Sequence, residues 1–265
     1  MSDFMKVTCL QMNIELGRPK ENFAHAKQLI FEAVKGKSDV LVLPETWNTG
    51  FFPKDNLAEI SCNNGIEVKE QIGRLAREYG VNIVAGSVSN KKENRIYNTA
   101  FVFNRKGECV AEYDKTHLFT PMCEDKYYTA GDRLCCFELE GVKCGIIICY
   151  DLRFPELVRT LALSKIDMLF VVSQWPTART FHLRTLTLAR AIENQMFVVC
   201  CNSCGRALDT VFGGNSAIIN PLGETLAFAG EREEIISAEC DINILNEIRA
   251  NMPVFRDRRQ ELYNL

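Results

Sequence analysis

The sequence predicts one α/β domain with mixed sheets and helices on the outside, and three observations carry that expectation. Short, wholly apolar runs such as Val40-Leu41-Val42-Leu43, Ile146-Ile147-Ile148 and Met168–Val172 have the composition of strands buried on both faces. They alternate with segments whose apolar residues recur at helical spacing, the order expected of parallel strands joined by helices. Glycine-bearing turns between other apolar runs add hairpins, so antiparallel pairs are expected as well.

Residues 5–12 form the first strand, and Phe23, Ala26, Ile30 and Ala33 mark a helix that ends at Gly36. Strand Val40–Leu43 stops at Pro44-Glu45, and a loop rich in Gly, Pro and Asn runs from Asn48 to about Gly65. Ile72, Leu75, Ala76 and Tyr79 define a second helix, closed by Gly80 and followed by strand Val81–Ala85. Strands over Asn98–Asn104 and Glu108–Asp114 flank the turn Arg105-Lys106-Gly107, and a long loop leads from Lys115 to Gly131. Strands near Leu134–Leu139 and Lys143–Ile148 surround Glu140-Gly141. Leu157, Val158, Leu161 and Ala162 then give a third helix, before strand Met168–Val172.

Phe181 to Ile192 is apolar around much of its circumference, which predicts a helix buried between layers. Strand Met196–Cys201 follows. Phe212–Asn220 is expected to pair with Glu224–Phe228 across Pro221-Leu222-Gly223, and Glu234–Cys240 to extend the sheet. The tail, with Pro253 and Arg256-Asp257-Arg258-Arg259, reads as an extended arm from about residue 250. With no repeat and no linker, residues 1–265 read as a single domain.

Composition narrows the function classes. The 265 residues are 47% hydrophobic and 25% charged, ordinary for a globular protein, and a net charge of −3 points to neither nucleic acid nor an acidic membrane as partner. No apolar run approaches the ~20 residues that span a bilayer. The start, Met1-Ser2-Asp3-Phe4-Met5-Lys6, lacks the pattern of an export signal, so a cytoplasmic location is expected. The twelve cysteines are scattered, many within strand-like runs (Cys9, Cys144, Cys200, Cys240), as buried free thiols in a reducing compartment would be. The one C-x-x-C, Cys201 to Cys204, has no second pair at zinc-finger spacing, so no metal is expected.

Three residues with chemical potential stand where strands run out: Glu45, Lys115 and Cys149. The stretch Gly145 to Glu156 reads as strand, cysteine, then a helix opened by Pro155. That places the thiol at the carboxyl end of a strand, where open α/β sheets bind ligands, and near a helix terminus that favours the thiolate. In one crevice the three make a coherent machine. Glu45 would take the thiol proton and later protonate a leaving amine. Lys115 and the backbone N–H of Tyr150 would hold an oxyanion, and Cys149 would carry an acyl group. Taken singly, each also has a plain structural reading: a solvated strand end, a solvent-facing lysine, a packed thiol.

Leu43-Pro44-Glu45-Thr46, Tyr113-Asp114-Lys115-Thr116-His117-Leu118 and Ile148-Cys149-Tyr150-Asp151-Leu152-Arg153-Phe154-Pro155-Glu156 resemble the three signature motifs of the nitrilase, or carbon–nitrogen hydrolase, superfamily, in order. The resemblance extends through Ala189–Asn194, Asn202 and Phe212–Ser216 to Asn220–Glu224. It implies a four-layer αββα sandwich, cofactor-free hydrolysis of a non-peptide C–N bond, the roles given above, and a homodimer built through the helices flanking the cysteine turn. It also implies a second glutamate after the lysine, and Glu124 matches that position.

Gln174-Trp175-Pro176, Arg179 and the helix after it are similar to the omega-amidase branch, as are Tyr127–Gly131 and the basic tail. That branch hydrolyses the distal amide of 2-oxoglutaramate and 2-oxosuccinamate. A substrate carboxylate calls for a cation besides Lys115; Arg153 and Arg179 are the candidates, with Trp175 and Tyr128 as further binding residues. Arg153 can equally be an ion-pair partner of Glu156 or Glu193. Cys200-Cys201-Asn202-Ser203-Cys204-Gly205 departs from the branch, which alters the acyl group accepted if this strand lines the pocket. Rival readings are a Cys–His protease or thiol transferase using His117, a nitrile or N-carbamoyl hydrolase with the same Glu–Lys–Cys set, another aliphatic amidase, and a thiol-rich binding protein.

Overall fold

The computed structural model of the chain describes residues 4–51 and 53–263; Met1-Ser2-Asp3, read above for an export signal, lie outside the described residues. Strands β1 (Phe4–Gln11), β2 (Val40–Val42), β3 (Cys62–Asn63), β4 (Asn82–Lys92), β5 (Arg95–Phe103) and β6 (Cys109–Asp114) share one sheet with β15 (Glu234–Asp241). Its order is β15-β1-β2-β4-β5-β6, with β3 on the end of β4. A second sheet has the order β14-β13-β10-β9-β8-β7. Its members are β7 (Cys136–Leu139), β8 (Val142–Ile148), β9 (Met168–Ser173), β10 (Phe197–Asn202), β13 (Ala217–Ile219) and β14 (Thr225–Phe228). The central pairs β1/β2, β2/β4, β8/β9 and β9/β10 are parallel, as is the short β3/β4 pair, and the other pairs are antiparallel.

Side-chain alternation builds the layers. Val40 and Val42 of β2 join Val7 and Cys9 of β1 in a core shared with Ile146, Phe170 and Val199 of the second sheet. Leu41 and Leu43 point the other way, into a core with Phe23, Ala26 and Ile30 of α1 (Pro19–Ala33) and Ile72 and Ala76 of α3 (Ile66–Tyr79). The short helix α2 (Leu57–Ile60) interrupts the loop between β2 and α3. On the far side α4 (Pro155–Leu163) buries Leu157, Val158, Leu161 and Ala162, and α5 (Thr180–Asn194) buries Leu183 and Ala191. Helices, sheet, sheet, helices make the expected αββα sandwich. No helix among the described residues is long and apolar enough to cross a membrane.

Two expectations are corrected. Phe212–Asn220 is not one strand: Phe212 and Gly213 end β12 (Thr210–Gly213), which pairs with β11 (Cys204–Ala207) as a separate hairpin, and only β13 meets β14. Gly214, at φ +57°, turns the chain between them where a Cβ would strike the Gln11 side chain. Helix α5 is not sealed between layers either. It covers the second sheet with one face and leaves Phe181 76% and Ile192 49% exposed in the single chain. After α6 (Ile244–Asn251) the tail passes through turns to residue 263, with Phe255 against the core.

Candidate active site

Glu45 follows β2, Lys115 follows β6 and Cys149 follows β8, so all three emerge from carboxyl ends of strands. Two close approaches set the first two. Gly86, at φ +56°, lies in an irregularity of β4 where a Cβ would collide with the Pro44 carbonyl, so the strand can press against the Pro44-Glu45 turn. Gly131 packs its Cα on the Asp114 carbonyl and donates its N–H to the Lys115 carbonyl (2.9 Å).

The side chains converge completely out of water. Lys115 Nζ donates to Glu45 Oε1 (2.9 Å) and to both oxygens of Glu124 (3.0 and 2.9 Å), and all three side chains are fully buried. Asn98 Nδ2 donates to Glu45 Oε1 (2.8 Å), and the Gln174 N–H to Glu45 Oε2 (2.9 Å). Phe119 N–H donates to Glu124 Oε2 (2.5 Å). Burial penalises the ammonium, but Glu124 and Glu45 outweigh it and hold Lys115 well above its ordinary pKa. Burial also raises Glu45, with Glu124 adding to the rise and Lys115 opposing it. Two carboxylates share one cation, so the cluster is poised to take up a proton at Glu45.

Cys149 has an unusual φ of +50°, at the head of a five-residue 3-10 turn, Cys149–Arg153. The helix α4 begins only at Pro155, six residues on. The expected thiolate is therefore corrected. Burial and the neighbouring Glu45 carboxylate raise the thiol well above its ordinary pKa, against the opposing pull of Lys115. Both effects favour the thiol over the thiolate at rest. The N–H of Tyr150 is among the first of the turn, which such turns leave without internal acceptors.

A narrow cleft of about 40 Å³ opens over Cys149, walled by Phe51, Phe119, Trp175 and Phe212. Arg153 and Arg179 both line it. The Arg153 guanidinium stacks on Trp175 (4.6 Å) and donates to His182 Nδ1 (3.2 Å); that of Arg179 lies over Phe119 (4.9 Å). Neither has a carboxylate partner among the described residues. The expected alternative for Arg153, an ion pair with Glu156 or Glu193, is not made among the described residues; Glu193 pairs with Arg190 (2.8 Å). Trp175 is held by Asn202 Oδ1, which accepts its N–H (2.7 Å), while its indole Nε1 is buried without a partner. Tyr128 does not line the cleft; it is buried behind the carboxylates with its hydroxyl on Ser89 Oγ (2.6 Å).

The thiols of β10 also lie elsewhere. Cys201 Sγ reaches the carbonyls of Val42 (3.2 Å) and Leu10 (3.5 Å) in the opposing sheet, so this thiol fills the space between sheets, while Cys200 is buried on the other face of the strand; neither lines the cleft. All twelve cysteines are free. His117 gives no support to a Cys–His pair: its Nδ1 is on Asp151 Oδ1 (2.8 Å) and its ring stacks on Phe154 (3.7 Å). Sequence reasoning missed Asn98, whose only signal was a polar residue at a strand boundary, and the buried Asp151. Neither position stands out until segments distant along the chain meet.

The carbon–nitrogen hydrolase family profile matches residues 6–250. A 2-oxoglutaramate amidase of Bacillus subtilis is 42% identical, covering 97% of this chain and 98% of that protein. The omega-amidase NIT2 of Xenopus tropicalis is 32% identical, covering 92% of each. Among solved structures, Nit3 of Saccharomyces cerevisiae, a member of branch 10 of the nitrilase superfamily, superposes with a TM-score of 0.90 at 27% identity, over 98% of both chains.

Proposed function

The chain belongs to the carbon–nitrogen hydrolase family, and from that premise we propose that it is an omega-amidase, cleaving the distal amide of 2-oxoglutaramate or 2-oxosuccinamate through a thioester on Cys149. The observation that carries the substrate class is the pair of guanidinium ions, Arg153 and Arg179, lining the cleft over Cys149 with no carboxylate of their own among the described residues. A substrate carboxylate supplies the missing partner. The amidases of Bacillus subtilis and Xenopus support the same reading.

In this scheme Glu45 takes the proton of the Cys149 thiol as sulfur attacks the amide carbon. The oxyanion gathers at Lys115 Nζ and the Tyr150 N–H, worth about 10² to 10³ in rate per donor. Glu45 returns the proton to the amide nitrogen, the C–N bond breaks and ammonia leaves. Water then gives a proton to Glu45 and attacks the thioester; the collapse releases the acid and restores the thiol. Glu124 keeps Lys115 charged and in place, and Trp175 backs Arg153. The scheme uses only residues of this chain and water.

Ammonia release from 2-oxoglutaramate, 2-oxosuccinamate, glutamine, asparagine, aliphatic amides, nitriles and N-carbamoyl amino acids tests it. The two 2-oxo amides should turn over fastest, with an acyl adduct on Cys149 by mass spectrometry; preference for an uncharged amide refutes the substrate class, and activity in Cys149→Ala refutes the mechanism. We further propose a homodimer that covers the exposed Phe181, Leu188 and Ile192 of α5, working in a cytoplasm that keeps twelve thiols reduced. A monomeric mass in light scattering contradicts the dimer.

A further inference from the structure

Two surfaces carry the proposed chemistry on different sheets: Lys115 follows β6 of the first, Cys149 follows β8 of the second. The Lys115 ammonium is anchored to Glu45 and Glu124, which says nothing of how its segment stays registered with the cysteine turn. Glu45 has its own tie across the sheets, through the Gln174 N–H. The corresponding tie for the lysine segment is Asp151.

Asp151 is fully buried and pairs with no lysine or arginine among the described residues; its charge is met by five donors. Its Oδ1 accepts from Thr116 Oγ1 (3.0 Å), the His117 N–H (2.9 Å) and His117 Nδ1 (2.8 Å). Its Oδ2 accepts from Tyr113 Oη (2.8 Å) and the Ile148 N–H (3.0 Å). Four of these bonds come from residues at −2, +1 and +2 around Lys115. The fifth comes from the residue before Cys149, and Asp151 itself lies two after it. His117 closes the joint by stacking on Phe154 at the end of the same turn.

We propose that Asp151 is a positioning residue that clamps the Lys115 segment to the Cys149 turn, so that ammonium and sulfur keep one relative placement through acylation. The inference rests on the reading that Lys115 and Cys149 carry the reaction. A neutral amide cannot replace the clamp. The hydroxyls of Tyr113 and Thr116 can rotate, but the N–H groups of His117 and Ile148 are fixed, one on each carboxylate oxygen. Asparagine offers one oxygen and one NH₂, so whichever way it turns, an N–H faces an N–H and one of the two chain segments is released. A misplacement of about 1 Å can cost about 10²-fold in rate.

The experiment compares the parent enzyme with Asp151→Asn in 2-oxoglutaramate hydrolysis, and in the pH profile of Cys149 alkylation by iodoacetamide, read on the Cys149 peptide by mass spectrometry. The expected result is a kcat about 10²-fold lower with KM within about threefold. The alkylation profile should move to higher pH, because the thiol loses the stabilising proximity of Lys115. A kcat within about threefold of the parent overturns the clamp, and so does a fallen kcat with an unmoved alkylation profile. If Asp151→Asn does not fold, Tyr113→Phe/Thr116→Val keeps the carboxylate and removes two lysine-side bonds. A loss of about tenfold or more in kcat with a moved profile then supports the clamp, and parental kcat overturns it. Cys149→Ala run alongside separates the failures: if it hydrolyses the amide, the proposed function falls; if it is inert while Asp151→Asn is fully active, only the clamp falls.

Discussion

The substitution Glu124→Gln isolates the electrostatic part of the site. The Glu45 and Glu124 oxygens each lie 2.9 Å from Lys115 Nζ, so they are at most about 6 Å apart. At an effective permittivity of about 20, two such charges repel by about 3 kcal/mol. The neutral amide removes that repulsion and still offers an oxygen to the ammonium, so the placement of Lys115 is largely kept. Glu45 then becomes a weaker base, since Glu124 is one of the causes that raise it. If about half of the ~3 kcal/mol is felt in the proton-transfer transition state, kcat falls about tenfold. The acid limb of the kcat/KM profile moves to lower pH, because Glu45 stays ionised further down. Steady-state ammonia release between about pH 4 and 9 measures both, and an acid limb that stays in place or moves upward refutes the coupling of the two glutamates.

In the parent enzyme the rate should fall as pH drops through a Glu45 ionisation held above the ordinary carboxylate range by burial; a limb at or below about 4.3 contradicts that. Arg153→Ala and Arg179→Ala should each raise KM for 2-oxoglutaramate about tenfold or more, and leave KM for propionamide unchanged, in Michaelis–Menten measurements. Gly86→Ala combines a positive φ with a collision at Pro44, so it should cost about 1–3 kcal/mol in urea unfolding and lower kcat by shifting Glu45. Phe181→Asp should yield monomers in light scattering without loss of the fold.

The local physics was legible in the chain. Apolar runs of three to five residues marked the central strands because burial on both faces excludes polar side chains, and Glu45, Lys115 and Cys149 stood out because polar residues begin where those runs end. The family motifs joined the three into one site and supplied Glu124. What the sequence could not order is whatever depends on contact between strands distant along the chain. Asn98 meets Glu45 across 53 residues, and Asp151 meets Tyr113 across 38. Both are single polar residues in segments whose pattern speaks only of strand and turn. The ionisation of Cys149 went the same way: a strand–cysteine–helix pattern suggests a thiolate, but the 3-10 turn and burial beside Glu45 favour the thiol. Local sequence determined the elements and the kinds of reactive group, because those follow from spacing and side-chain chemistry. Only the tertiary packing decided which charges face one another without water, and desolvation with Coulomb interaction at those distances sets their protonation.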